Sequence, residues 1–285
     1  MVNLLPVKIV VDSSSDLPRQ LASELGIIII PMPVYINNVT YYEGLDIFPD
    51  TFYADFKTYK ELPKTSQPNP NDLQKIYEKI LADGFDVIAI HLSSGLSSTY
   101  QTALLVKEQC SYPDRIHIID SLGASLGFGL LAVYAHEIAK RYDDTAKIVE
   151  EIIKIRDRMR YIFTIDTLEY LVKGGRVSKT AGFVAGLLDV KPILHINREG
   201  RIEVFNKVRS RKAALRKLIE IVEQNIKDPA AQIIGISHAA SLEEASILAN
   251  EIQKRLGVPE IILSEIGCVI GSHVGPGTIA VFYQQ

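Results

Sequence analysis

Phe85-Asp-Val-Ile-Ala-Ile90 runs straight into His91-Leu-Ser-Ser-Gly-Leu-Ser-Ser-Thr-Tyr-Gln-Thr102. The first stretch is short and almost wholly apolar, the pattern of a strand buried on both faces, as parallel sheets require. From Tyr100 to Gln109 the pattern is helical. A turn crowded with hydroxyls therefore sits where a strand hands over to a helix. In open α/β sheets ligands bind at that place, outside the carboxyl ends of the strands. A helix start also presents unpaired N–H groups and a positive dipole end. Gly95 permits close approach of backbone and ligand. Ser93, Ser94, Ser97, Ser98 and Thr99 add uncharged donors. Two readings stand side by side: an anion site for a carboxylate or phosphate, or a well-capped helix, since Ser and Thr are good caps.

The same strand–turn–helix unit recurs upstream. Val7-Lys-Ile-Val-Val11 leads into Asp12-Ser-Ser-Ser-Asp16 and a helix to Leu25, with Ser15 or Asp16 as its cap. Ile27 to Ile30 is a second buried strand, and Asn37-Asn38 joins a hairpin between Val34 to Ile36 and Val39 to Tyr41. Asp50 to Lys60 looks helical. Leu62 to Asn71 holds three prolines and reads as an ordered loop carrying Thr65 and Ser66, followed by a helix from Leu73 capped at Asn71-Asp72. Arg115 to Asp120 is a strand, and Leu126 to Arg141 a small-residue helix.

Strands alternating with helices make residues 1–145 a mainly parallel, doubly wound α/β domain. The polar break Tyr142-Asp-Asp-Thr145 opens a second α/β domain, 146–285, with a mixed sheet and helices. There the expected elements are a helix bearing Ile148, Ile152, Ile155 and Met159 on one face, a strand over Tyr161 to Ile165, a short helix Thr167 to Val172, and a Gly/Ala-rich helix Lys179 to Leu188. A hairpin follows over Lys191 to Val208, with Arg209 and Arg211 continuing the Lys207 face of its second arm. That stripe reads as a solvated face, or more sharply as a docking surface or the partner of an anion.

With 47% hydrophobic residues the chain can build a sizeable core, and a net charge of −3 gives no general attraction to nucleic acid or anionic membrane. Cys110 and Cys268 stand far apart, which fits a reducing compartment rather than a disulfide scaffold. The N-terminus lacks the features of a signal peptide. Leu122 to Ala135, the longest charge-free apolar stretch, is shorter than the roughly twenty residues a membrane span needs. A cytoplasmic protein without stable membrane insertion is expected. No metal-ligand spacing, Walker A loop or nucleophile elbow occurs, so neither metal nor cofactor is expected. Gly127-Phe-Gly-Leu-Leu-Ala132 matches a dinucleotide fingerprint only loosely, lying inside a helix pattern, and close packing explains its small residues. His273-Val-Gly-Pro-Gly277 places a histidine on a shaped loop, which favours a site role.

Taken in order, Val11 to Pro18, Lys64-Thr-Ser-Gln-Pro68, Ser93 to Gln101, Thr167 to Ser178, Lys191-Pro-Ile-Leu194 and His273 to Gly277 resemble the DegV family of bacterial fatty-acid-binding proteins. Ser98 stands where that family usually has Gly. The resemblance implies a non-enzymatic carrier that holds one long-chain fatty acid, such as palmitate, stearate or oleate, between two α/β domains. It implies a carboxylate site at Thr65, Ser66, Ser93, Ser94 and Gly95, and a head-group network including Arg209 and His273. It further implies a separate ATP-dependent fatty-acid kinase that docks near Arg176 and makes acyl phosphate for phospholipid synthesis. The residues by themselves leave one alternative, an enzyme acting on a small phosphorylated or carboxylated substrate at the same turn.

Overall fold

The computed structural model describes residues 7–177 and 190–285. The helix expected over Lys179 to Leu188 lies outside the described residues. In the first half the elements are β1 (Val7–Asp12), α1 (Arg19–Leu25), β2 (Ile28–Ile30), β3 (Pro33–Ile36), β4 (Val39–Tyr42), α2 (Pro49–Asp55), β5 (Lys64–Thr65), α3 (Pro70–Ala82), β6 (Asp86–His91), α4 (Thr99–Lys107), β7 (Ile116–Asp120) and α5 (Leu126–Ala139). Then come α6 (Thr145–Arg158), β8 (Met159–Thr164), α7 (Glu169–Lys173), β9 (Lys191–Ile196), β10 (Ile202–Val208), α8 (Arg211–Asn225), β11 (Ile233–His238), α9 (Leu242–Leu256), β12 (Glu260–Glu265), α10 (Cys268–Val274) and β13 (Ile279–Gln284).

The protein is α/β, and the described residues form three sheets. Four strands form a parallel sheet in the order β2-β1-β6-β7. Val87 to His91 are buried throughout, which is why the apolar run of β6 shows no alternation. A six-stranded mixed sheet runs β10-β9-β8-β13-β11-β12, with β11 and β12 parallel and the other pairs antiparallel. A small antiparallel sheet, β4-β3-β5, includes the expected hairpin; Asn37 and Asn38 both take the positive φ of a tight hairpin turn.

The six-stranded sheet sorts its residues by alternation. Ile162, Ile193, Ile279 and Val281 pack on one face against α8 and α9. Tyr161, Phe163, Leu194, Ile196, Ala280 and Phe282 lie on the other face and join the largest core, which extends to Ile88, Ile90 and Leu92 of the parallel sheet region. Helix α5 sits in this core with twelve of its fourteen residues buried. Its glycines serve packing, as the sequence suggested: a Cβ on Gly127 would lie 2.3 Å from the Tyr161 ring. Among the described residues no helix is long and apolar enough to cross a membrane.

Four local expectations are corrected. The proline-rich stretch is not all loop, because Lys64 and Thr65 pair with Tyr35 and Val34 as an edge strand. Helix α3 begins at Pro70, whose fixed φ suits a first turn, and Asn69 rather than Asn71 caps it. The strand of the second hairpin ends at Val208, after a bulge between Val204 and Asn206. Arg211 instead opens α8 and pairs with Glu244 at 2.8 Å, so it does not share a strand face with Arg209. His273 lies on helix α10 and not on a loop.

Candidate functional site

A cavity lies between the carboxyl end of the parallel sheet and the inner face of the six-stranded sheet. Ala280 and Phe282 reach it from alternate positions of β13 and Thr278 from just before that strand, Tyr161 and Phe163 from β8, and Ile196 and Ile202 from the β9–β10 hairpin. Ile266, Val269, Ile270 and Val274 line it from in and around α10, and Leu92, Leu96, Ala124 and Leu171 complete the apolar wall. The space open to the centres of water-sized molecules is about 170 Å3.

Polar groups gather at one side. Thr65, Ser66 and Gln67 come from the proline-rich stretch, Ser97 and Ser98 from the turn before α4, and Arg176 and His273 from the far side. Gln67 and Ser98 are exposed, so this side is the mouth. The two loops are linked there, since the Ser98 hydroxyl donates to Gln67 Oε1 at 3.0 Å. Thr65 Oγ1 and His273 Nε2 are 2.8 Å apart. The ring's other nitrogen has no hydrogen-bond partner. Burial, and then the charge of Arg176, hold the His273 imidazole down to about 4, so it is neutral at pH 7. Arg176 is anchored by its own donors: Nε to the Leu96 carbonyl at 3.1 Å and Nη1 to that of Gly174 at 2.6 Å. Its guanidinium brings a fixed positive charge to a mouth otherwise lined by neutral donors.

The start of α10, the helix that carries His273, is held by two buried carboxylates. Asp16 accepts the Gly267 N–H at 2.8 Å, and Glu43 accepts the Val269 N–H at 2.9 Å. They satisfy the orphan donors at the start of α10. Ser13 donates to Glu43 at 2.5 Å and Ser125 donates to Asp16. Burial above all, and for Asp16 also the charge of Glu43, raises both carboxyls above the usual carboxylate range, that of Asp16 well above. The sequence had Asp16 or Ser15 capping α1. The Asp16 carboxylate instead crosses to α10, while α1 starts at Arg19 behind Pro18 and has no side-chain cap. A second buried chain, Tyr77–His91–Asp12, ties α3 to the parallel sheet with contacts of 3.0 Å each.

The hydroxyl-rich turn divides at Leu96. Its first half fastens the two sheets together. Ser93 donates to the Gly200 carbonyl at 2.8 Å and accepts from Gly95 N–H at 3.1 Å. The Ser94 N–H donates to Asp120 at 3.1 Å. Gly95 is small because the turn of the β9–β10 hairpin presses on it: a Cβ would lie 2.7 Å from the Gly200 carbonyl. Ser93, Ser94 and Gly95 are thus not among the cavity-lining residues, whereas Leu96, Ser97 and Ser98 are. Of the expected site residues, the fold brings Thr65, Ser66, His273 and Arg176 to the mouth. Arg209 is exposed just past β10 and is not among the lining residues. Ser97 and Ser98 were read among the donors of the turn, and Gln67 stands inside the Lys64 to Pro68 motif. Nothing in the sequence pointed to Glu43.

Comparison with known proteins finds relatives along nearly the whole chain. The family model described as "Uncharacterised protein, DegV family" matches residues 6–285. A DegV domain-containing protein of Clostridium perfringens is 35% identical over 277 residues, covering 95% of each chain. A DegV family protein from Thermus thermophilus, described by its fatty acid binding, superposes with a TM-score of 0.91 at 29% identity, covering 98% of this chain and 100% of its own. A stearic acid-binding protein from Eubacterium ventriosum gives 0.86 at 26% identity, with 97% of each chain covered.

Proposed function

The chain belongs to the DegV family, and from that premise we propose that it holds one long-chain fatty acid, tail in the cavity and carboxylate at the mouth. The observation that carries this reading is a cavity with a mainly apolar lining and, on its exposed side, the hydroxyls of Thr65, Ser66, Ser97 and Ser98 with Arg176 and His273. Each buried methylene contributes roughly 0.8 kcal/mol, so ten contribute about 8 kcal/mol before the losses of ordering. The head group then needs orientation more than affinity. With the proton on His273 Nε2, the imidazole donates to Thr65, and the Thr65 hydroxyl donates to the carboxylate. Ser66, Ser97 and Ser98 supply further neutral donors, and Arg176 the attracting charge. These answer the desolvation cost of the carboxylate without protonating it.

The fatty acid is presented to a separate ATP-dependent kinase. A carboxylate oxygen forms a bond to the γ-phosphorus, the bond to ADP breaks, and an acyl phosphate leaves for phospholipid synthesis. An open groove lined by Glu61, Lys64, Lys173 and Arg176 leads to Thr65 and His273; Lys64 pairs with Glu61 and Lys173 with Glu169, and Arg176 brings the charge that draws phosphates. The pairing of Thr65 with His273 resembles a nucleophile and base, but His273 Nδ1 has no partner to orient it, which favours positioning over catalysis.

Organic extraction of the purified protein followed by mass spectrometry should release stoichiometric fatty acid. Protein free of lipid and unable to take up oleate or palmitate overturns the proposal. Thr65→Ala combined with Ser98→Ala should keep the lipid but lower its phosphorylation by the kinase.

A further inference from the structure

We propose that a second cavity, behind the acyl cavity and separated from it by Tyr161, binds a phosphoryl-bearing small molecule. This cavity lies between the end of α6, the start of β8 and the β9–β10 hairpin, and offers about 600 Å3 to the centres of water-sized molecules. Arg156, Arg160 and Arg198 line it, together with His195, Phe205 and Tyr161.

Its charge is unbalanced. Arg156 is paired with Asp157 at 2.8 Å. Arg160 and Arg198 have no carboxylate within 4 Å among the described residues. Arg160 is half-buried, and its guanidinium is destabilised first by burial and then by the positive charge of Arg198. The bonds it does make, from Nη1 to the Asp157 and Met159 carbonyls and from Nε to Gln285, fix its plane without neutralising it. Two guanidinium groups line one concave site, Arg160 fixed by its own hydrogen bonds and Arg198 exposed on the hairpin turn, and guanidinium donors suit phosphoryl oxygens. The Tyr161 ring forms part of the wall between the two cavities, with its hydroxyl buried and without a partner. Beside the arginines, His195 and Phe205 stand edge to face at 5.3 Å, and Phe205 is 47% exposed. They offer a ring wall to whatever carries the phosphoryl group.

None of these residues except Tyr161 touches the acyl cavity, so the site stands whether or not fatty acid is the ligand there. Isothermal titration at low salt with pyrophosphate and with AMP tests it, on the purified chain. Binding of either probe is expected. Arg198→Gln, on an exposed turn, should weaken it about tenfold, the loss of one charge-assisted contact. Arg160→Gln should weaken it at least as much, while the extracted lipid content stays unchanged in both variants. A preference for AMP that Phe205→Ser abolishes supports use of the ring wall, and equal affinity for both probes supports a site for the phosphoryl group alone. No binding of either probe at millimolar concentration, or affinity undiminished in Arg198→Gln and Arg160→Gln, overturns the proposal.

Discussion

Ala280 lies on β13 between Thr278 and Phe282, and all three face the acyl cavity, while Ile279 and Val281 face the opposite core. Replacing Ala280 with leucine adds three carbons to the cavity wall. In a chain of fixed length they displace about three methylenes of bound acyl tail. At roughly 0.8 kcal/mol each the loss is about 2.4 kcal/mol, or about 50-fold in affinity. The loss should depend on chain length. An acid long enough to fill the wild-type cavity bears the whole penalty, and an acid shorter by three or four carbons bears little of it. Displacement of a fluorescent fatty acid from delipidated protein, across a series of saturated acids, measures this directly. Thermal unfolding of the lipid-free variant supplies the control, because a side chain entering open space should not lower the melting temperature. An equal loss for all chain lengths, or a lipid-free variant that melts several degrees below wild type, would refute the placement of the tail along β13.

Two further outcomes follow from the same geometry. Gly95→Ala should destabilise the protein by about 1–3 kcal/mol, since the new Cβ meets the Gly200 carbonyl at 2.7 Å and the Glu199 carbonyl at 3.0 Å, neither on a flexible side chain; the denaturant midpoint reports it, and an unchanged midpoint removes the argument that this turn clamps the two sheets. The pH dependence of stability should contain two opposed slopes. His273 titrates near 4 when folded and 6.5 when unfolded, so the unfolded chain binds more protons between those values, and up to about 3 kcal/mol present above pH 6.5 is lost as the pH falls toward 4. Asp16 and Glu43, raised when folded, act the other way and cost stability as the pH rises above 4. Subtracting the profile of His273→Gln from that of wild type should leave the first slope, and a flat difference between pH 4 and 6.5 would contradict a buried neutral imidazole.

The α/β class was legible because its signals are local. The unbroken apolar run of β6, the turn at Asn37-Asn38 and the small residues of α5 each depend on neighbours within a few positions, and each was found where it was read. Thr65 and His273 were both singled out in the sequence, but their 2.8 Å contact spans 208 positions and only the fold makes it. The same limit explains the errors. Gly95 looked like a ligand-facing glycine, because sequence records its lack of a side chain but not that the hairpin turn at Gly200 fills the space. Asp16 looked like a cap for the helix beside it, because a carboxylate can satisfy any orphan N–H within reach, and only the closed structure brings the start of α10 there. The sequence by itself determined the alternation of strands and helices and the chemical types at the mouth. The tertiary structure alone decided which hydroxyls face the cavity and which fasten the sheets, since hydrogen bonds and steric contacts are set by distance in space and not along the chain.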